Sequence, residues 1–269
     1  MKFLKLNLAN EPINEFMPAL TAYIIDDNSG NENRGPHPAV LIAPGGGYHH
    51  RSAREAEPIA LQYMAAGYHA FVLDYAVAPN RYPVALTNIS DAMCLIRKNA
   101  DEWGVDKDAI AVMGFSAGGH LAASLATMWD EEPIKTADKS NRPNAAILCY
   151  PVISSEPGIA HEGSFDNLCG EDLALREKMS LEKKVNEKTP PCFIWHTFED
   201  PLVPVTNSLC FATALKKADI SCELHIFPHG GHGLGLANED TATFPEQIVE
   251  RVQDWVGLSV KWLDDLFKK

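Results

Sequence analysis

Residues 110–129 read IAVMGFSAGGHLAASLATMW, and this stretch decides the fold. A short apolar run, IAVM, is followed at once by Gly114-Phe115-Ser116-Ala117-Gly118, and then by a run of small and apolar residues with helical spacing. A strand that passes directly into a helix through G-x-S-x-G is a nucleophile elbow. The turn is so tight that side chains two residues either side of the serine would collide, and glycine at 114 and 118 removes them. The serine is held in a strained conformation with its hydroxyl exposed, and the helix that follows aims its first N–H groups at the same place. Chance alone would give such a pentapeptide roughly a tenth of a time in a chain of this length. The strand before it and the small-residue helix after it set the match well apart from an ordinary turn with a serine cap.

Working outward, the same alternation repeats. Strands are expected at 39–43 (AVLIA), 70–74 (AFVLD), 110–113, 145–150 (AAILCY), 192–196 (CFIWH) and 222–227 (CELHIF). Helices are expected at 55–66, 84–99, 119–129, 206–217 and 245–267. Near-continuous apolar strands separated by helices imply a parallel sheet covered on both faces, an α/β fold. Two alternating stretches at 3–8 and 20–26 read as antiparallel edge strands. Residues 153–188 break the pattern with Gly158, Gly163, Gly170 and short charged pieces. They read as a small cap-like insertion, in an otherwise single domain, over the sheet edge where ligands of such folds bind.

Composition narrows the function classes. The chain has 269 residues, 46% hydrophobic and 22% charged, with a formal net charge of −13. That balance speaks against nucleic acid, whose phosphates need clustered Lys and Arg, and against anionic membranes. The first residues lack the continuous apolar core of a signal peptide, and no run of 18 apolar residues exists to span a bilayer. Six cysteines without CxxC spacing read as reduced residues of a cytoplasmic protein.

Pro44-Gly45-Gly46-Gly47-Tyr48 follows the AVLIA strand directly. Successive glycines let backbone N–H groups approach a substrate oxygen, as the oxyanion of acyl transfer requires. The expected donors are the N–H groups of Ala117 and of Gly46 or Gly47. Tyr48 and His49, next along, are candidate substrate contacts. With an elbow serine, the acid and then the base follow later in the chain. After the next-to-last strand both Glu199 and Asp200 qualify by position, and Asp200 is favoured because Pro201 holds it extended. After the last strand His229 and His232 compete. His232, flanked by glycines and further along the loop, has the greater reach. His49-His50, His120 and His196 show no metal-ligand spacing, and the chemistry calls for neither metal nor cofactor. His196 reads as packing at a strand end and His120 as packing in the helix after the elbow.

PGGGY followed by SAREAEPIA, then YPVAL, GFSAGGHLAASL, CYPVIS, WHTFEDPLVPVTNS and FPHGGHGLGLA together resemble a family of small bacterial α/β-hydrolases. Its members are labelled acetylesterase, sugar hydrolase or xylanase-B-like esterase and are related to hormone-sensitive-lipase-like esterases. The resemblance runs from about residue 39 to the C-terminus. It implies the α/β-hydrolase fold, a carboxylic ester hydrolase, the triad Ser116, Asp200 and His232, and Gly46, Gly47 and Ala117 as oxyanion donors. One departure is Pro44, which stands where esterase relatives carry a His before the glycines, so any bracing by that side chain is missing. The expected partner is a small ester, such as an acetylated sugar. The rivals are an amidase or peptidase on the same scaffold, and a non-catalytic binding protein that keeps the pocket.

Overall fold

Eight stretches of the chain become the strands of one sheet in the computed structural model, which describes residues 1–26 and 35–268. They are β1 (Lys2–Asn7), β2 (Ala19–Ile24), β3 (His37–Ala43), β4 (His69–Asp74), β5 (Val105–Phe115), β6 (Ala145–Cys149), β7 (Cys192–Thr197) and β8 (Cys222–Phe227). Their order is β1-β2-β4-β3-β5-β6-β7-β8. β1 pairs antiparallel with β2 and β2 antiparallel with β4, while all other pairings are parallel. β5 is longer than its apolar core suggests. It begins at Val105, just after left-handed Gly104, and its exposed Lys107 and Asp108 hide the strand from a search for apolar residues.

Alternation along the central strands divides two cores. Leu41, Ile110 and Val112 face one side, and Val40, Ile42, Ala111 and Met113 face the other. The first side is covered by α2 (Val84–Lys98), α3 (Ala100–Trp103), α4 (Ala117–Met128) and α7 (Thr206–Lys217), which contribute Ile89, Trp103, Leu121 and Phe211. The second is covered by α1 (Glu57–Ala65), α8 (Glu250–Gln253) and α9 (Trp255–Phe267), through Tyr63, Val252, Trp255 and Leu263. Between β6 and β7, residues 153–188 hold α5 (Glu162–Cys169), α6 (Leu173–Lys178) and a 3₁₀ turn at Leu181–Lys183.

The single helix expected at 245–267 is three pieces: a 3₁₀ turn at Pro245–Gln247, then α8, then α9. Ile248 and Val249 are extended between the first two, and the Val249 N–H donates to Ala237 O at 3.0 Å instead of to a helix carbonyl. Two β-branched residues and a long-range acceptor break the helix there. Among the described residues no helix is long and apolar enough to cross a membrane. All six cysteines are free thiols.

The chain leaves β3 toward β4 on one side and returns to β5 on the other. The crevice beyond the C-terminal ends of β3 and β5 is therefore the topological switch point, where open parallel sheets bind ligands. The glycine loop after β3 and the serine turn after β5 both open into it.

Candidate active site

Ser116 sits between β5 and α4 at φ 52°, ψ −119°, a left-handed backbone that a residue with a Cβ adopts only under constraint. The constraint is visible. Its N–H donates to Cys149 O (3.0 Å) on the neighbouring strand end, and its carbonyl accepts from His120 N–H and Val152 N–H (both 3.1 Å). The two elbow glycines serve different contacts. A Cβ at Gly114 would overlap the Gly118 carbonyl, whereas a Cβ at Gly118 would overlap the carbonyls of Ala43 and Pro44. Gly114 thus clears the turn itself, and Gly118 lets α4 pass against the end of β3. A third glycine, Gly119, gives clearance to Pro151.

His232 and Asp200 complete a hydrogen-bonded chain to the serine. His232 Nε2 lies 2.8 Å from Ser116 Oγ, and His232 Nδ1 lies 2.7 Å from Asp200 Oδ2. A carboxylate only accepts, so Nδ1 carries the proton and Nε2 is left to accept from the serine hydroxyl. Asp200 is buried, and its Oδ1 accepts from Leu202 N–H and Val203 N–H, both at 2.9 Å. His196, fully buried, approaches Oδ2 to 3.3 Å through Nε2, which also donates to Val203 O at 2.9 Å. Burial works to raise the Asp200 pKa. The hydrogen bonds from His196 and His232, the charge of His232 and the Val203 N–H outweigh it and hold the carboxyl well below the ordinary carboxylate range. The expectation that His196 packs at a strand end is met, but its contact with Asp200 adds a partner that spacing did not reveal. Glu199 and His229, the rival acid and base, meet each other at 3.0 Å on the surface and reach neither Ser116 nor Asp200.

Gly46 and Gly47 have φ +124° and +63°, and a Cβ at Gly46 would run into the His50 carbonyl. Among the described residues the N–H groups of Gly46 and Gly47 have no partner. Ala117 opens α4, so its N–H is one of the unpaired donors of a helix start. Tyr48 is placed otherwise than expected. Its φ of 56° turns the ring inward, where it is 3% exposed and its hydroxyl meets His120 Nδ1 at 2.9 Å. His120 Nε2 in turn donates to Met179 O (2.9 Å), so Nδ1 accepts from the tyrosine. Tyr48 therefore braces α4 and does not line the crevice. His49 does line it.

The crevice has a volume of about 370 Å³. Many of the described residues that line it carry polar groups, among them His49, His50, Ser52, Arg54, His161 and Asn167, and Leu202 is the one large aliphatic side chain among them. His161 and Asn167 come from the 153–188 stretch and were not foreseen. Asn167 Nδ2 donates to Gly47 O at 2.8 Å, tying α5 to the glycine loop. His161 Nδ1 lies 2.8 Å from Ser164 Oγ, and burial together with the nearby His232 holds its pKa below the ordinary histidine range. Glu55 is the other residue the sequence did not disclose. It lines the crevice although only 3% exposed, and its Oε2 accepts from Gly45 N–H at 2.8 Å.

A sheet of this order with a serine elbow at its switch point is an α/β-hydrolase fold. The chain belongs to the BD-FAE family, whose model matches residues 26–215. It is 39% identical over 236 residues to endo-1,4-beta-xylanase B of Butyrivibrio fibrisolvens, covering 84% of this chain and 36% of that protein. It is 30% identical over 225 residues to an acetylxylan esterase of Xylanibacter ruminicola, covering 81% of this chain and 45% of that one. The chain thus spans less than half the length of these two relatives. Among solved structures, an acetyl ester-xyloside bifunctional hydrolase from Caldicellulosiruptor lactoaceticus superposes with a TM-score of 0.86 at 40% identity, over 98% of this chain and 96% of that one.

Proposed function

We propose that this protein is a serine carboxylic ester hydrolase that removes short acyl groups, acetyl above all, from carbohydrate or related small esters. The observation that carries the reading is the unbroken chain Ser116–His232–Asp200, at 2.8 and 2.7 Å, opening into a crevice edged by unpaired backbone N–H groups. Ser116 Oγ attacks the ester carbonyl and passes its proton to His232 Nε2. Asp200 holds the imidazole in the tautomer that can receive it and stabilises the imidazolium. The N–H groups of Gly46, Gly47 and Ala117 bind the oxyanion. The intermediate collapses, His232 protonates the departing alcohol, and the acyl group stays on Ser116. Water then gives a proton to His232 and attacks the acyl carbon by the same route, releasing the carboxylic acid and the free serine.

Substrate class follows from the walls. A small crevice rich in imidazole, amide and guanidinium groups suits a short acyl group and a hydroxylated leaving group better than a lipid. Residues 153–188 act as a small cap over this edge, and their charged residues, Asp166, Glu171, Asp172, Arg176, Glu177 and Lys178, offer no broad apolar face. The names of the relatives support the same reading, as acetylxylan esterase and acetyl ester-xyloside hydrolase are among them.

Nitrophenyl esters of rising chain length test it. Each CH₂ accommodated in an apolar tunnel would contribute about 0.8 kcal/mol. The expected result is a kcat/KM that peaks at two to four carbons, and a steady rise to octanoyl would overturn the short-acyl reading. Release of acetate from an acetylated xylo-oligosaccharide tests the carbohydrate half. Rapid labelling of Ser116 by a fluorophosphonate separates an enzyme from a binding protein, and a matched amide separates esterase from amidase.

A further inference from the structure

Two of the loops that meet at the site are tied directly to strand ends. Ser116 N–H in the elbow donates to Cys149 O at the end of β6, and Phe198 N–H in the loop of Asp200 donates to Phe227 O at the end of β8. The glycine loop leaves β3 and the histidine loop leaves β8, four strands away in the sheet order β3-β5-β6-β7-β8. No strand pairing joins β3 to β8, so side chains must set the distance between these two loops.

Arg54 spans them with one bond, from Nη2 to Gly233 O at 3.0 Å, and a continuous buried line of hydrogen bonds runs beside it. Glu55 follows the glycine loop within a 3₁₀ turn at Ala53–Glu55 and points inward. Its Oε2 accepts from Gly45 N–H at 2.8 Å and its Oε1 accepts from the Tyr150 hydroxyl at 2.6 Å. The Tyr150 oxygen accepts in turn from Gly235 N–H at 3.0 Å, three residues past His232. The Tyr150 ring also meets the His232 ring edge-on, with centroids 5.1 Å apart. The line is buried throughout, with Glu55 3% and Tyr150 1% exposed.

Tyr150 holds its place at φ 37°, a left-handed backbone unusual for a bulky residue, just after β6 ends. Its N–H is secured by Trp195 O at 2.7 Å. Gly45 is pinned on both sides, since its carbonyl accepts from Ser52 N–H at 3.0 Å, and a Cβ there would meet both Glu55 Oε2 and Ser116 Cβ. The line suits a carboxylate. Gly45 N–H and Tyr150 O–H are both donors and reach different oxygens of Glu55, where a side-chain amide would set its own N–H group against one of them.

We infer that Glu55 and Tyr150 are positioning residues, a bridge Gly45–Glu55–Tyr150–Gly235 that fixes the loop of the oxyanion donors relative to the loop of the base. The inference rests on the esterase reading above. The bridge supplies the bracing of the glycine loop that Pro44 cannot. Transition-state stabilisation needs the donors and the base in register together, whereas binding an ester in the ground state needs neither in register with the other. A displacement of about 1 Å can cost about 100-fold in rate. Breaking the bridge therefore lowers kcat and leaves KM nearly alone.

The test uses Tyr150→Phe, Glu55→Gln and the double variant, assayed on nitrophenyl acetate, with active sites counted by the end point of fluorophosphonate labelling. Each single variant is expected to lose about 10- to 100-fold in kcat per labelled site, with KM changed by less than about threefold. Because both break one bridge, the double variant falls no further than the worse single one. Glu55→Gln, which keeps an acceptor for Gly45, is expected to retain more activity than Glu55→Ala. Wild-type kcat per labelled site in the variants, or losses that simply multiply in the double, would overturn the inference. A loss confined to the number of labelled sites would overturn it too, since that is a stability role only. If Glu55→Gln does not fold, Tyr150→Phe, which removes a single hydroxyl and leaves the ring, carries the test alone. A wild-type protein that neither labels nor turns over the ester would overturn the esterase reading and this inference with it.

Discussion

Two carboxylate–histidine pairs sit side by side at the ends of β7 and β8, Asp200 with His232 and Glu199 with His229. Their carboxylates are neighbours in the chain, their histidines lie three residues apart, and their contact distances are close, 2.7 and 3.0 Å. Their surroundings differ entirely. The side chains of Asp200 and His232 are 0% and 13% exposed, and those of Glu199 and His229 are 57% and 76% exposed. Asp200 also takes two backbone N–H groups and lies against a buried histidine, while the outer pair has water on most sides. An exposed ion pair contributes about 0–1 kcal/mol and fixes little. Contact distance does not separate a candidate triad from a surface pair. Burial and fixed neighbours do: two backbone N–H groups hold Oδ1, and His196 lies beside the Oδ2 that orients His232.

The largest expected effect lies at the end of the inner pair. Ser116→Ala removes the group to which that pair is coupled and should lower ester hydrolysis by about 10⁶-fold with the fold intact by circular dichroism. Residual activity above a few per cent would detach the inner pair from the chemistry. Next comes Asp200→Asn. The amide can present an N–H to His232 and favour the wrong tautomer, at an expected cost of about 10⁴ in kcat.

A stability effect extends the comparison to a histidine buried with no carboxylate at all. Burial holds the His120 imidazole down to about 4, against about 6.5 in the unfolded chain. Between those values the unfolded chain takes up a proton that the folded one refuses. The contribution is thus fully present above pH 6.5 and lost as pH falls toward 4, at most roughly 3 kcal/mol. His69, also held to about 4 chiefly by burial, adds to the same slope. Asp200, whose pKa is lowered in the fold, contributes in full above its unfolded pKa of about 4 and loses its contribution only as pH falls further below that. Urea midpoints at pH 7 and 4.5 should show the drop, and His120→Gln should shrink it. An equal drop in that variant would assign the slope elsewhere. The smallest effects belong to the outer pair. Glu199→Gln and His229→Ala should each change kcat/KM by less than about twofold. A loss at either comparable to that of Asp200→Asn would erase the distinction between the pairs.

Most of the sheet was legible because β3, β4, β6 and β7 are largely apolar and β8 alternates, and the elbow because its glycines are demanded locally. What escaped depends on partners distant in the chain. The break before α8 follows from a bond between Val249 and Ala237, and Glu55 reads as one acid among several until its bonds to Gly45 and Tyr150 are seen. Tyr48 misled for a related reason. Its neighbours open to the crevice, but its own backbone turn sends the ring to His120. Glu199 and Asp200 could be ranked by the proline, while the burial that separates them comes only with folding.

The docking of the C-terminal segment has a consequence for timing. Tyr63 bonds Ser259 and Tyr68 bonds Asp264, each across 196 residues, and Ser116 meets His232 across 116. A ribosome makes the serine, the glycine loop and most of the sheet long before it makes the histidine and the helix that packs beneath it. Over the 116 residues between Ser116 and His232 the growing chain holds the proposed nucleophile without its proposed base, and a serine in that state is no more reactive than any other hydroxyl. On the esterase reading, reactivity waits for the histidine loop, which is made shortly before α9, the helix that packs on the second core.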